Sequence, residues 1–286
     1  MYTSQIRINN AQPVGRGTAA AAGRVRVSFS GMLTRLVLSL LLAAVLTAAM
    51  PAAGEPGGSS HTAAAAETKS SRKGWFTKDG KTCYYKNGKR VTGLVRIKGK
   101  NYAFNDRGVL QVSTRLFKSG NKYYRTNSKG VAVRWTGVYA LAAERLMSEE
   151  IGGDLKKAFR WSADTLRFTS SVKAPSSRKE SAIAAYYGKI GFKTGSGDCY
   201  VQAYTFWWMA KVLGYKATAV RGSVQSRDKT TGKIYYASHA WCEIKEGGKT
   251  YVYDPNFTHE YAARLNNPDC GWRITYGAKN TLQYKK

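Results

Sequence analysis

The chain has 286 residues, 43% of them hydrophobic, a globular composition that excludes a wholly disordered protein. Its 46 Lys and Arg stand against 17 Asp and Glu, a formal net charge of +29 that favours an anionic setting: nucleic acid, an anionic membrane or an acidic cell-wall polymer. The four cysteines, Cys83, Cys199, Cys242 and Cys270, are widely spaced with no C-x-x-C pair, which excludes a zinc signature and a dense disulfide framework.

Residues 36–50 form one apolar run, with Arg35 before it and Pro51 and small residues after it. The run is short for a bilayer span, which needs roughly 20 residues. Its basic flank and small-residue exit read as a secretory signal. Residues 1–53 are therefore taken as the signal region, with Met32 as an alternative start and an uncleaved membrane anchor as the alternative fate. Residues 1–66 carry only five Arg and one Glu, so the exported part stays strongly basic. The expected localisation is secreted and cell-wall associated. Export argues against nucleic acid as a partner and for teichoic acid or another anionic polysaccharide of the envelope. Residues 54–73, rich in Gly, Ser, Ala and Thr, read as a flexible linker.

Residues 74–134 repeat. Gly80-Lys81-Thr82-Cys83-Tyr84-Tyr85, Gly99-Lys100-Asn101-Tyr102-Ala103-Phe104 and Gly120-Asn121-Lys122-Tyr123-Tyr124 begin 19 and then 21 residues apart, and each unit closes on a further glycine. A Gly turn, a short aromatic strand and a second Gly turn predict a β-hairpin. One hairpin cannot bury its aromatic face alone, so successive hairpins are expected to stack as a solenoid. The region resembles the cell-wall-binding, choline-binding-type repeats of Gram-positive surface proteins and toxins, and Gly74-Trp75 matches the family's Gly-Trp start. Later units carry Leu94 and Arg115-Leu116 where that tryptophan would stand. This removes rings that a quaternary-ammonium cage requires. A basic, tyrosine-bearing surface can still hold a sugar or teichoic acid, and most of the tyrosines are expected only to stack the solenoid.

Residues 137–286 change character. Apolar spacing of three and four predicts helices over Val138–Ile151, Leu155–Leu166, Glu180–Ile190 and Cys199–Leu213, the last ended by Gly214. Alternation then predicts strands over Lys216–Val224, Ile234–Ile244 and Thr250–Tyr253. Helices followed by strands indicate an α+β domain.

Within it, Gly195 and Gly197 lead to Asp198, a helix cap, and to Cys199 in the first helical turn. There the helix dipole and unpaired N–H groups favour a thiolate. Ser238-His239-Ala240-Trp241 and Tyr253-Asp254-Pro255 flank a predicted hairpin loop at 245–248. In that register Ile244 faces Lys249, Cys242 faces Tyr251 and His239 faces Asp254. Cβ atoms of such opposed residues are ~5 Å apart. Cys199 as nucleophile, His239 as base and acid, and Asp254 as the group orienting the imidazole make a complete set for acyl chemistry on an amide. The Cys199 N–H is a candidate oxyanion donor. Tyr200, next to the thiol, and Trp241, two residues from His239, are candidate substrate contacts. The alternative for Trp241 is simple packing. The rings after Cys199 fall at helical spacing and read mainly as core.

These motifs, in this order and spacing, resemble the transglutaminase-like superfamily over about residues 150–258. The resemblance implies a papain-like α+β catalytic domain with a Cys-His-Asp triad, peptidase, amidase or amide-crosslinking activity through an acyl-thioenzyme, and no metal or organic cofactor. A peptide or protein of the cell wall or surface is the expected substrate, with a non-catalytic wall-binding protein as the alternative. Cys242 departs from the family's usual aliphatic strand residue.

Overall fold

The computed structural model describes residues 5–6, 72–170, 172–228 and 230–286. The signal reading lies outside the described residues except at 5–6, and so does nearly all of the linker. The described residues all belong to one compact unit, which holds every element named below.

β1 (Gln5–Ile6) pairs antiparallel with the strand beginning at Ala217. The repeat region then forms three separate small sheets. The first is β2 (Gly74–Lys78), β3 (Lys81–Lys86) and β4 (Lys89–Arg90). The second is β5 (Gly93–Ile97) with β6 (Lys100–Phe104). The third is β7 (Phe117–Ser119), β8 (Lys122–Thr126) and β9 (Ala132–Arg134). The turns Asp79-Gly80 and Lys98-Gly99 place both residues at positive φ, the two-residue turn that suits the twist of a hairpin and the reason for the glycine period. The hairpins touch through their rings: Trp75 of β2 lies 5.0 Å from Tyr102 and 5.9 Å from Phe104 of β6. Backbone bonds stitch them further, Leu110 N–H to the Thr82 carbonyl at 2.7 Å and Ser113 N–H to the Asn127 carbonyl at 2.9 Å.

The C-terminal part is mixed α and β. Its helices are α1 (Gly137–Leu146), α2 (Leu155–Arg160), α3 (Glu180–Thr194) and α4 (Cys199–Leu213). A short parallel pair, β10 (Arg167–Phe168) and β11 (Ser196–Gly197), leads into α4. Then come β12 (Ala217–Arg227), β13 (Ile234–Glu246), β14 (Lys249–Tyr253), α5 (Pro255–Tyr261) and β15 (Tyr284–Lys285). The sheet order is β1-β12-β13-β14, with β15 also on β12. Ten of the 15 residues of α4 are buried, as befits a helix that is apolar all round. Val201, Tyr204 and Met209 pack with α1 and α3, while Phe206 and Ala210 pack with Ala217, Cys242, Ile244 and Tyr253 of the sheet.

Two sequence expectations need correction. The hairpin loop is two residues, Gly247-Gly248, both at positive φ, so Glu246 faces Lys249, Ile244 faces Tyr251 and Cys242 faces Tyr253. The register is displaced by two residues from the expected one, because the double glycine closes a tight turn that a four-residue loop does not need. And Asp254-Pro255 starts a helix besides ending a strand. Asp254 caps α5 with Oδ1 accepting from the Phe257 N–H at 2.9 Å, and proline occupies the first turn.

Candidate active site

The position of Cys199 follows from its neighbours. Gly195 ends α3 in the left-handed region at φ 63°, and Gly197 has no room for a side chain, since a Cβ would collide with Val201. The chain can therefore pass close over the start of α4. Asp198 caps that helix, its Oδ1 accepting from the Val201 N–H at 3.0 Å. Cys199 is then the first helical residue and is half-buried. Burial raises the Asp198 carboxyl, against the lowering effect of the capping N–H groups and the positive field of His239.

His239 is delivered by β13. The observed register ends with Cys242 opposite Tyr253, so Asp254 does not face His239 directly, yet a displacement of two keeps the same face of the sheet. His239 Nε2–H donates diagonally to Asp254 Oδ2 at 2.7 Å. The carboxylate can only accept, so the proton of this bond belongs to the imidazole. With Nε2 engaged, the remaining ring nitrogen is the one left to interact with Cys199. Burial works against the imidazolium, but the charge and hydrogen bond of Asp254, with smaller help from Cys199, outweigh it and push His239 up to about 10. The structure thus brings together Cys199, His239 and Asp254.

Asp254 is fully buried and accepts three bonds. Besides His239 and Phe257, the hydroxyl of Tyr284 donates to Oδ2 at 2.8 Å. Burial first, and then the neighbouring carboxylate, raise the Tyr284 phenol well above its usual range, so it stays a neutral donor. Tyr284 lies in β15, laid against β12 with Val224 opposite it. The carbonyl of the next residue, Lys285, fills the space where a side chain on Gly222 would go, and Gly222 is the residue that faces His239. Sequence reasoning missed Tyr284: nothing local marks a tyrosine 30 residues beyond the aspartate. It also missed the tie between helices. Asn256 Nδ2 of α5 donates to Gln202 Oε1 of α4 at 2.9 Å, which links the cap at Asp254 to the turn that carries Cys199.

Of the two candidate substrate contacts, Tyr200 is half-buried, stacked on Tyr187 at 5.3 Å and hydrogen-bonded to Ser238 beside His239. Trp241 is different. It is wholly buried under His239, with ring centroids 6.2 Å apart, and its Nε1–H donates to the Tyr276 hydroxyl at 2.8 Å. A buried ring whose N–H is already engaged offers no surface to a substrate, so Trp241 packs. The Tyr186 hydroxyl donates to the Lys173 carbonyl at 2.9 Å. Cys242 and Cys270 are free buried thiols in different core clusters. Among the described residues no group of three or more His, Cys, Asp or Glu could hold a metal, and no helix is long and apolar enough to cross a membrane.

No family model matches the chain, and no curated protein matches it in sequence. Some solved structures are similar over part of it. The choline binding domain of Spr1274 in Streptococcus pneumoniae is 30% identical over 22% of this chain and 76% of that one, with a TM-score of 0.21. The periplasmic domain of TgpA from Pseudomonas aeruginosa, bound to ethylmercury, is 22% identical over 42% of this chain and 43% of that one, TM-score 0.29. A candidate cysteine protease from Cytophaga hutchinsonii is 16% identical over 42% and 36% of the two chains, TM-score 0.27. The chain therefore spans less than half the length of either of the last two.

Proposed function

We propose that residues 137–286 form a papain-like, transglutaminase-type cysteine enzyme that cleaves amide bonds in cell-wall or surface peptides. In this reading the hairpins of 74–134, a short solenoid, hold it to an anionic wall polymer outside the cell. The observation that carries the enzymatic part is the buried hydrogen bond from His239 to Asp254, closed by Tyr284, with the half-buried Cys199 thiol interacting with the same imidazole. A structural histidine needs only one partner, and here a half-buried thiol stands on its other side.

His239 takes the Cys199 proton, and the thiolate adds to the amide carbon. The negative oxygen so formed is stabilised by the Cys199 N–H at the start of α4, where no preceding turn supplies a carbonyl acceptor. Collapse breaks the C–N bond, His239 protonates the departing amine, and an acyl-thioenzyme remains. A water molecule, deprotonated by His239, attacks the thioester; the carboxylic acid leaves and the thiol takes back its proton. Asp254 holds the ring in the tautomer and orientation that both halves require. Water is the acceptor favoured here, since it is always present and needs no dedicated site, with an amine acceptor, giving crosslinking, as the alternative.

The test is to incubate the protein with peptides released from bacterial cell walls and to follow intact mass. The expected result is an acyl adduct on Cys199 with release of an equal amount of amine, absent from Cys199→Ala. Amine release that persists in Cys199→Ala, or no adduct and no release across the peptide set, would overturn the enzymatic reading in favour of a wall-binding protein.

A further inference from the structure

Where the third hairpin meets the C-terminal domain, a cleft is lined by Arg115, Arg125 and Arg134 from the repeat side and by Lys211 and Lys216 around the end of α4, with Trp135 and Tyr139 at its centre. A second hollow shares Arg115 and Arg125 and continues past Ser113, Thr126 and Asn127. Neither lining contains a carboxylate. Among the described residues none of the five cations takes part in an ion pair. We infer that this seam is a binding site for phosphate-bearing polyanions.

The cations are held in place by contacts other than counter-charges. The Arg125 guanidinium lies 4.7 Å from the Trp135 ring centre, Trp135 stacks on Tyr139 at 5.1 Å, and the Trp135 N–H donates to the Arg115 carbonyl at 3.0 Å. The Arg115 guanidinium packs over Gly214, at a spot where a Cβ would come within 2.8 Å of it. Like charges gathered this way repel one another, and a bound anion relieves the repulsion. Guanidinium groups also present paired N–H donors that match two phosphate oxygens, a geometry that an ammonium lacks.

The ring contacts also decide the sign of the ligand. A cage for a quaternary ammonium needs open ring faces. At the seam Arg125 already lies over Trp135, as Lys118 lies over the nearby Tyr123. The seam therefore presents cations outward rather than receiving one. Five such groups along two joined hollows suit a chain of several phosphates better than a single carboxylate. The inference narrows the attachment half of the proposal to one place, rests on it only for the source of the ligand, and is independent of the cysteine chemistry.

The experiment titrates the protein with sodium tripolyphosphate at physiological salt by calorimetry. The seam pair Arg125→Gln with Arg134→Gln is compared with an off-seam pair of equal charge change, Arg96→Gln with Lys279→Gln, both exposed and outside the two hollows. Loss of two charge-assisted contacts predicts binding weakened by about tenfold or more in the seam pair, and little change in the off-seam pair. Equal weakening in both pairs would mean that net charge alone binds the probe, and would overturn the inference; so would binding of choline at the seam in its place. If the arginine pair fails to fold, Lys211→Gln with Lys216→Gln takes its place under the same criteria. Retention on purified cell walls forms a separate arm. Walls that still hold the seam pair normally would leave the attachment reading standing while this site falls.

Discussion

The two halves of the molecule handle charge and distance in opposite ways. In the hairpin region, contacts join residues about one or two repeats apart, cations sit exposed on ring faces, and the polar turns serve themselves: Asn105 Oδ1 accepts from the N–H groups of Arg107 and Val109, and Asn127 does the same for Lys129 and Val131. In the C-terminal half, the groups that matter come from α4, β13, the start of α5 and the far C-terminal strand, and they meet in a buried network. Local, repeated structure tolerates loss of one contact, because each unit leans only on its neighbours. A buried, non-local polar network does not, because removing one member strands the others without partners.

That contrast can be broken or sharpened by measurement, beginning with the largest effect. Cys199→Ala removes a half-buried thiol from the first turn of α4. It should leave the fold unchanged while lowering amide cleavage by about 10⁶-fold, as loss of a triad nucleophile does elsewhere; parallel thermal melts and amine-release assays check this. Asp254→Ala strands His239 and Tyr284 and uncaps α5, so the denaturant midpoint should fall by an amount equal to about 3 kcal/mol or more.

The pH dependence of stability has a defined sign. The folded His239 lies above its ordinary value of 6.5, raised towards about 10. Its stabilising contribution is therefore complete below the ordinary imidazole range and drains away as pH rises from there to about 10. Urea midpoints across this window should decline for the wild type and decline less for His239→Gln. Tyr284→Phe keeps the ring and removes one donor to Asp254. The expected cost is about 1 kcal/mol, together with a displaced His239 titration in NMR, which a merely packed ring would not produce. Smallest at the site is the effect of Trp75→Ala: it loosens the first hairpin against the second but should leave alkylation of Cys199 at the wild-type rate.

The sequence was more legible in some places than others, for physical reasons. Cys199, His239 and Asp254 could be named because each sits at a local signal: a Gly-Asp cap before a helix, an alternating strand, an Asp-Pro boundary. The face of the sheet survived a wrong register, since a displacement of two residues preserves the alternation of side chains. The loop length is ambiguous in sequence because Lys245 and Glu246 suit a turn as well as a strand, although Gly247-Gly248 alone can close the hairpin. The start of α5 has a readable signature in its cap and proline, but Pro255 marks the end of a strand equally well. Tyr284 and the Asn256–Gln202 bond had no local signature, because they depend on the chain returning from 30 and 54 residues away. Trp241 was placed on the correct face, but its burial depends on Tyr276 and Tyr284, which pack over it from the C-terminal segment.

The most direct test of the account is the alkylation rate of Cys199 by iodoacetamide against pH, read by peptide mapping in the wild type and in His239→Ala. A working Cys199–His239 pair predicts that the wild-type thiol reacts far faster than Cys83, Cys242 and Cys270, and that His239→Ala slows it by about tenfold or more while changing the shape of its pH profile. If both proteins alkylate at the same rate with the same profile, the pair does not exist as a chemical unit and the enzymatic reading fails.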